Sequence, residues 1–228
     1  APVFSNFTVD GEDGSCLAGT GLLEFTVDVV EAGCGTFNSS DINIGVTGAV
    51  VNSITAAGGN PTGTGTYAFT LLIDGGDNDG DYQLTFDGTD DAGNTATQYA
   101  PAGVDFSIDN TAPSISNASV TESCESGGNT VTLTFDVAEA GCGTFDQNDI
   151  TITDDVTTAT NTWTYVSGTG VGPYTYTLAL VTGDPDGLVT VSINGTDAAG
   201  NPATPNTDAT FTIDNTAQTI ANQPRKNI

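Results

Sequence analysis

The chain of 228 residues carries the same series of motifs twice, and this internal repeat constrains its fold more than any other feature. The alignment is gapless between DVVEAGCGTFNSSDINI at 28–44 and DVAEAGCGTFDQNDITI at 136–152. It continues with GTDDAGN at 88–94 against GTDAAGN at 195–201, and with FSIDNTAPSISN at 106–117 against FTIDNTAQTIAN at 211–222. Each repeat is therefore expected to be one structural module, with the same fold in both copies.

Apolar and polar residues alternate with a period of two in each repeat, which is typical of half-buried β-strands. The alternation occupies matching positions, namely Leu23, Phe25, Val27 and Val29 in one repeat and Val131, Leu133, Phe135 and Val137 in the other. Further strands are predicted at 66–73, 82–88 and 104–109, at 174–180, 189–195 and 210–214, and twice within 41–57. The predicted fold class is all-β, with two tandem immunoglobulin-like β-sandwich domains of about seven strands each.

The repeat also predicts the domain organisation. We expect a first domain at 1–108, an inter-domain linker at 109–111 and a second domain at 112–213. Residues 214–228 are predicted to be a linker or strand that engages a next subunit, because they match the start of a repeat.

The chain is strongly acidic, with 29 Asp and Glu residues, 2 Lys and Arg residues, no His and a formal charge of −27. Such a charge repels nucleic acid and anionic membrane surfaces and attracts cations. Without histidine, and with no phosphate-binding loop, zinc signature or nucleophile elbow in the sequence, we expect no enzyme. The alternation of strand residues argues against disorder.

The motifs IDNTAP, EAGCGTF and GTDDAGN resemble those of bacterial immunoglobulin-like repeats in giant surface adhesins, surface-layer proteins and filament proteins. The resemblance covers both repeats and implies a rod-like tandem array outside the cell, often with calcium at the joints between repeats. It does not separate spacers, binders and filament subunits, because modules of this type serve all three roles.

The order of strands in such a sandwich places two acidic loops and the linker together. The turn at 74–81 is expected at the C-terminal pole of the first repeat, and the loops at 139 and 197–201 at the N-terminal pole of the second. Calcium prefers six to eight oxygen ligands, which this convergence supplies. The predicted ligands are Asp77, Asp79, Asp81, Asp109, Asn110, Glu139, Asp197 and Asn201. Alternatively, DNDG and DPDG are ordinary hairpin turns without a metal.

By the repeat, part of the same ligand set is expected at the N-terminal pole of the first repeat and at the C-terminal pole of the second. One half consists of Glu31, Asp90 and Asn94, and the other of Asp184, Asp186 and Asp214. Another copy of the chain would then complete each half, and copies of itself stacked head to tail are the predicted partner.

The 4 cysteines suit an oxidising compartment. A strand of about 20 Å separates the positions of Cys16 and Cys34, whereas a disulfide requires Cα atoms within about 7 Å. We therefore expect Cys16 to pair with Cys142, and Cys124 with Cys34 of a next subunit. The open alternative pairs Cys16 with Cys34 and Cys124 with Cys142.

Other residues carry weaker signals. The sequons at Asn6, Asn38, Asn117 and Asn194 are candidates for glycosylation. Arg225 and Lys226 are the basic residues of the tail and are either solvated or dock on an acidic neighbouring subunit. Trp163 is expected to cover a core rather than bind a sugar.

The predicted function is that of an extracellular or cell-surface structural protein, the subunit of a head-to-tail filament with joints stiffened by calcium. An open assembly follows when a heterologous interface does not close. The alternative is that these repeats are spacer modules of a longer calcium-dependent adhesin.

Overall fold

The computed structural model describes residues 1–10, 16–19, 21–33, 35–47, 53–155 and 162–218. The chain divides into two compact units. Unit 1 comprises Ala1–Pro113 together with the loops Glu139–Thr144 and Thr196–Pro202, which belong to the second sequence repeat. Unit 2 comprises Ser114–Ala138, Phe145–Gly195 and Ala203–Ile228. Whether the domains begin and end where the sequence predicts stays a prediction.

Unit 1 is a sandwich of two antiparallel sheets. Its strands are β1 (Val3–Asp10), β2 (Gly21–Val30), β3 (Ile42–Thr47), β4 (Ser53–Ala56), β5 (Gly65–Ile73), β6 (Gly80–Gly88) and β7 (Phe106–Ile108), with a 3-10 turn at Ser39–Asp41. One sheet has the order β1-β2-β5-β4 and the other β3-β6-β7. This is the strand order of immunoglobulin constant-type domains. The predicted all-β, immunoglobulin-like fold is confirmed.

Unit 2 has the same topology. Its strands are β8 (Ser114–Val120), β9 (Cys124–Glu125), β10 (Thr130–Ala138), β11 (Ile150–Asp154), β12 (Thr164–Ser167), β13 (Pro173–Ala179), β14 (Gly187–Gly195) and β15 (Thr210–Ile213), with a 3-10 turn at Gln147–Asp149. The sheets have the orders β12-β13-β10-β8 and β11-β14-β15-β9. The short β9 pairs in parallel with β15. In unit 1, a parallel bridge between Leu17 and Ile108 occupies the matching place.

The alternating side chains form the cores between the sheets. In unit 1, Phe25 of β2 packs edge to face against Phe86 of β6, with ring centroids 6.0 Å apart. In unit 2, Phe135 of β10 stacks on Tyr174 of β13 at 5.7 Å. Trp163 is half-buried and packs on the core of unit 2, in the place expected of a core-covering residue.

An asparagine with a positive φ bends the first strand of each unit. Asn6 has φ 50° and Asn117 has φ 53°, and the strand register shifts at both places. The side-chain amide of Asn6 donates to Asp28 at 2.9 Å, and that of Asn117 donates to Asp136 at 2.8 Å. Asparagine tolerates the left-handed region better than other residues with a side chain. The two matching sequons therefore coincide with the register shift in the first strand of each unit. Glycosylation there stays a prediction.

Within the described part of the chain, no helix has the length and apolarity needed to cross a membrane.

Each unit contains a buried tyrosine whose hydroxyl donates a hydrogen bond to a backbone carbonyl. The hydroxyl of Tyr174 donates to the carbonyl of Gly170 at 3.1 Å, and that of Tyr67 donates to Gly63 at 2.8 Å. The substitution Tyr174→Phe leaves the half-buried carbonyl of Gly170 with one partner fewer, and we expect it to lower the free energy of unfolding by about 1 kcal/mol. Leu188→Thr, at a site 62% exposed, should change it by less than about 0.5 kcal/mol. Equal urea midpoints for the two variants would contradict the assigned hydrogen bond.

Candidate cation site and its disulfide

Asp109 directly follows β7 and is fixed there by backbone hydrogen bonds. Its N–H donates to the carbonyl of Leu17 at 2.8 Å, and the N–H of Leu17 donates to Ser107 at 2.9 Å. This pairing continues the sheet beyond Ile108. The Asp109 side chain is consequently fixed at a fully buried position, with 0% of its surface exposed.

Three carboxylates meet at this position. Oxygens of Asp109, Glu139 and Asp197 lie within 4.8 Å of one another, and all three residues belong to unit 1. Oδ2 of Asp109 and Oε2 of Glu139 are buried without a hydrogen-bond partner. Buried polar atoms are nearly always partnered, so two orphaned carboxylate oxygens in one cluster need an explanation.

The loops that supply Glu139 and Asp197 are organised by the carboxylates themselves. Glu139 directly follows β10, and its Oε1 accepts the N–H groups of Ala140 and Gly141 at 2.8 and 2.7 Å. The amide of Asn201 donates to Oδ2 of Asp197 and to the backbone carbonyl of Asp109, each at 2.9 Å. Asn201 therefore positions the cluster through its amide nitrogen.

The cluster is electrostatically costly without a counter-charge. Burial raises the pKa of Asp109 above its ordinary value, and the nearby negative charges of Asp197 and Asp79 raise it further, while the N–H groups of Thr111 and Cys142 oppose the shift. Hard divalent cations such as calcium prefer oxygen ligands of this kind. The orphaned oxygens and the all-oxygen donor set therefore fit the calcium that the family resemblance implies.

A disulfide lies beside the cluster. Cys16 and Cys142 are bonded across a sequence separation of 126 residues, with Cα atoms 5.5 Å apart. The predicted pairing of Cys16 with Cys142 is confirmed, and that of Cys124 with Cys34 of a next subunit stays a prediction. The alternative pairing of Cys16 with Cys34 and of Cys124 with Cys142 is wrong, because the loop at 139–144 brings Cys142 to Cys16. Cys34 lies outside the described residues, and Cys124 is an exposed free thiol.

The other predicted ligands of the first site act as caps on the backbone. Asp79 accepts the N–H of Asn110 at 2.7 Å and the hydroxyl of Thr111. Asp81 accepts the hydroxyl of Ser107 at 2.6 Å, and the carbonyl of Asp77 accepts the amide of Asn110 at 2.9 Å. Among the described residues these aspartates stand outside the three-carboxylate cluster. These hydrogen bonds are those expected of the DNDG turn, and a role of these aspartates as metal ligands stays a prediction.

The predicted half-site at Glu31, Asp90 and Asn94 repeats part of the cluster. Oε2 of Glu31 is buried without a partner, as in Glu139. Asp90 accepts the side-chain amide of Asn94 at 2.9 Å, as Asp197 does from Asn201, and the amino group of Ala1 lies 3.4 Å from it. The hydrogen bonds from Asn94 and the neighbouring amino group outweigh desolvation and lower the pKa of Asp90.

The predicted half-site at Asp184, Asp186 and Asp214 repeats the backbone caps. Asp186 accepts the N–H of Asn215 and the hydroxyl of Thr216, both at 2.7 Å, and these bonds lower its pKa. The carbonyl of Asp184 accepts the amide of Asn215 at 2.8 Å. Asp214 is exposed, whereas its repeat counterpart Asp109 is fully buried.

Gly141 is a contributor that the sequence reasoning missed. A Cβ atom at this position would collide with the Asp109 carboxylate, so only glycine lets the loop approach so closely. The glycine before the cysteine in EAGCG was the signal that could have identified it, because it recurs at Gly33.

Comparisons with known proteins identify no family for the chain. No protein-family model matches it, and no curated protein matches it. Among solved structures, similarity extends to the Escherichia coli adhesin FdeC, at 19% identity over 92% of this chain and 62% of that structure, with a TM-score of 0.40. The C-terminal domain of the Streptococcus agalactiae AgI/II polypeptide BspA matches at 11% identity over 93% of this chain and 99% of that one, with a TM-score of 0.36. The D00-D0 domain of intimin matches at 14% identity over 89% and 98%, with a TM-score of 0.33. These values do not assign a function.

Peptide mapping without reduction tests the disulfide. Cleavage at Asp and Glu places each cysteine on a separate peptide, because acidic residues lie between all of them. We expect a linked pair containing Cys16 and Cys142 that disappears on reduction. A linked pair of Cys16 with Cys34 would contradict the assigned bond.

Substitution of Asp109 tests the electrostatic cost of the cluster. Without divalent cations, Asp109→Asn should raise the melting temperature at neutral pH by about 3 °C, because it removes a buried charge. The folded state holds the Asp109 proton more tightly than the unfolded state. The wild type therefore loses stability as pH rises from the ordinary carboxyl pKa through the raised one, and the difference should vanish below both.

The matched control is Glu24→Gln, which removes one exposed carboxylate from β2. It should leave the melting temperature within about 1 °C of the wild type. A destabilised Asp109→Asn variant in chelator would contradict the assigned charge repulsion.

Proposed function

We propose that the chain is an extracellular structural protein, the subunit of a head-to-tail filament or cell-surface fibre whose successive repeats are joined by a disulfide and stiffened by calcium. One observation carries the proposal: the three-carboxylate cluster contains two buried, orphaned oxygens beside a disulfide that links the two sequence repeats. A cross-link and a cation site at the same place favour a mechanical role over catalysis.

Calcium is the favoured ion because every side-chain donor in the cluster is a carboxylate oxygen. Asp109, Glu139 and Asp197 would hold it, with Asn201 and Gly141 positioning them. The ion supplies the positive charge that three clustered carboxylates lack. Disulfides are typical of proteins in oxidising compartments, which supports a location outside the cell.

The repeated poles support head-to-tail assembly. Asp214 is exposed where Asp109 is buried, and Glu31 keeps an orphaned buried oxygen where Glu139 has two carboxylate neighbours. The loops of Glu31 and Asp90 in a second copy, placed against Asp214, would rebuild the cluster. In the same contact Cys124 would bond with Cys34 of the neighbouring subunit.

The second candidate function is a spacer within a longer calcium-dependent surface adhesin. The same exposure of Asp214 and Cys124 favours it, because a following repeat in one polypeptide would cover them as well as a second molecule would. Arg225 and Lys226 lie outside the described residues, and their docking on an acidic neighbour stays a prediction.

Calcium should stabilise the protein through Asp109. Saturation at about 100 times the dissociation constant adds about 2.7 kcal/mol to the free energy of unfolding. We expect a corresponding rise in the melting temperature of the wild type and of Glu24→Gln on adding calcium after chelation, and none for Asp109→Asn. An equal rise in all three proteins would place the ion elsewhere.

Electron microscopy of the purified chain distinguishes filament from spacer. In calcium we expect filaments that disperse on chelation combined with reduction, and a Cys124→Ser variant whose filaments disperse on chelation alone. Dispersed particles of the oxidised wild type in calcium would overturn the filament and leave the calcium site intact.

A further inference from the structure

We infer that the Cys16–Cys142 disulfide and the cation site are reciprocally coupled, so that oxidation of the cysteines assembles the site and a bound cation protects the disulfide from reduction. The inference rests on the proposed calcium site and adds its regulation by thiol chemistry.

Asp109 belongs to two clusters at once. A carboxylate oxygen of Asp109 lies within 4.8 Å of both cysteine sulfurs, and within the same distance of oxygens of Glu139 and Asp197. The disulfide and the cation site consequently have the Asp109 carboxylate as a common neighbour. A movement of either cysteine changes the surroundings of the same buried carboxylate.

Each half of the disulfide controls one side of the cluster. Leu17, next to Cys16, accepts the N–H of Asp109 at 2.8 Å. On the other side, Gly141 precedes Cys142, packs directly on the Asp109 carboxylate and donates to Glu139 at 2.7 Å. The bond therefore ties the loop that carries Glu139 to the strand end that carries Asp109.

The Cys16–Cys142 bond opposes the electrostatic repulsion among the clustered carboxylates. Without a cation, negative carboxylates held within 4.8 Å push the loop at 139–144 away from Asp109. The covalent bond limits that separation and keeps the ligands at a high effective concentration. In the reduced protein, binding a cation must first bring the loop back, and this cost lowers the affinity.

Linkage makes the effect reciprocal. If oxidation of the cysteines raises the affinity for the cation by some factor, a bound cation shifts the equilibrium between thiols and disulfide toward the disulfide by the same factor. In reduction by dithiothreitol, two electrons and two protons pass to the disulfide, which becomes two thiols, while the reductant closes to its own cyclic disulfide. A tenfold coupling shifts the reduction potential by about 30 mV.

The first measurement is calcium binding by titration calorimetry on the full chain. We expect the Cys16→Ser/Cys142→Ser double variant to bind calcium at least tenfold more weakly than the wild type. The matched control is Cys124→Ser, which removes an exposed thiol distant from Asp109 in sequence and should bind calcium at the Asp109 site as the wild type does.

The second measurement needs no change at the disulfide. In a Cys34→Ser/Cys124→Ser background, a redox titration with dithiothreitol should find the Cys16–Cys142 couple at least 30 mV more negative in saturating calcium than in chelator, which is the tenfold coupling converted. Weaker binding by the double variant with no shift in potential would mean misfolding and would overturn the inference.

The outcomes separate this inference from the proposed function. Equal affinities in the wild type and the double variant would overturn the coupling and leave the calcium site standing. A wild type that binds no calcium would overturn both.

Discussion

A buried carboxylate with one unpartnered oxygen organises the candidate site. Asp109 has no exposed surface, and one of its oxygens has no hydrogen-bond partner. Glu139 and Asp197, whose oxygens lie within 4.8 Å of an Asp109 oxygen, are carboxylates as well. A group of this kind costs free energy unless a positive charge compensates it. The proposed cation and the proposed mechanical role both rest on this one unfavourable arrangement.

The disulfide explains how the arrangement persists. A bond across 126 residues of sequence removes much of the freedom of the unfolded chain. It also holds the loop at 139–144 next to Cys16, so the carboxylates remain close although they repel one another. The covalent bond therefore acts against the electrostatic repulsion at one place in the molecule.

The sequence predicted the fold well because two strong regularities agree. The period-two alternation at Phe25 and Phe135 specifies buried strand faces, and the repeat requires the same topology twice. The sequence also predicted the Cys16–Cys142 bond, because the length of a strand keeps Cys16 away from Cys34. The strand order of the sandwich also predicted that Asp109, Glu139 and Asp197 lie close together.

The acidic turn was harder to interpret. Asp77, Asp79 and Asp81 have the spacing of metal ligands, yet Asp79 and Asp81 accept backbone and hydroxyl hydrogen bonds. Composition cannot separate the two roles, because the same carboxylate oxygens serve a turn and a metal. The close approach of Gly141 depends on a contact distant in sequence, which local patterns do not contain.

A crystal structure of the protein grown with calcium tests the central claim most directly. We expect density for an ion among Asp109, Glu139 and Asp197, with oxygen ligands at about 2.3–2.6 Å. A water molecule at that place, or an Asp109 side chain turned out of the cluster, would contradict the account.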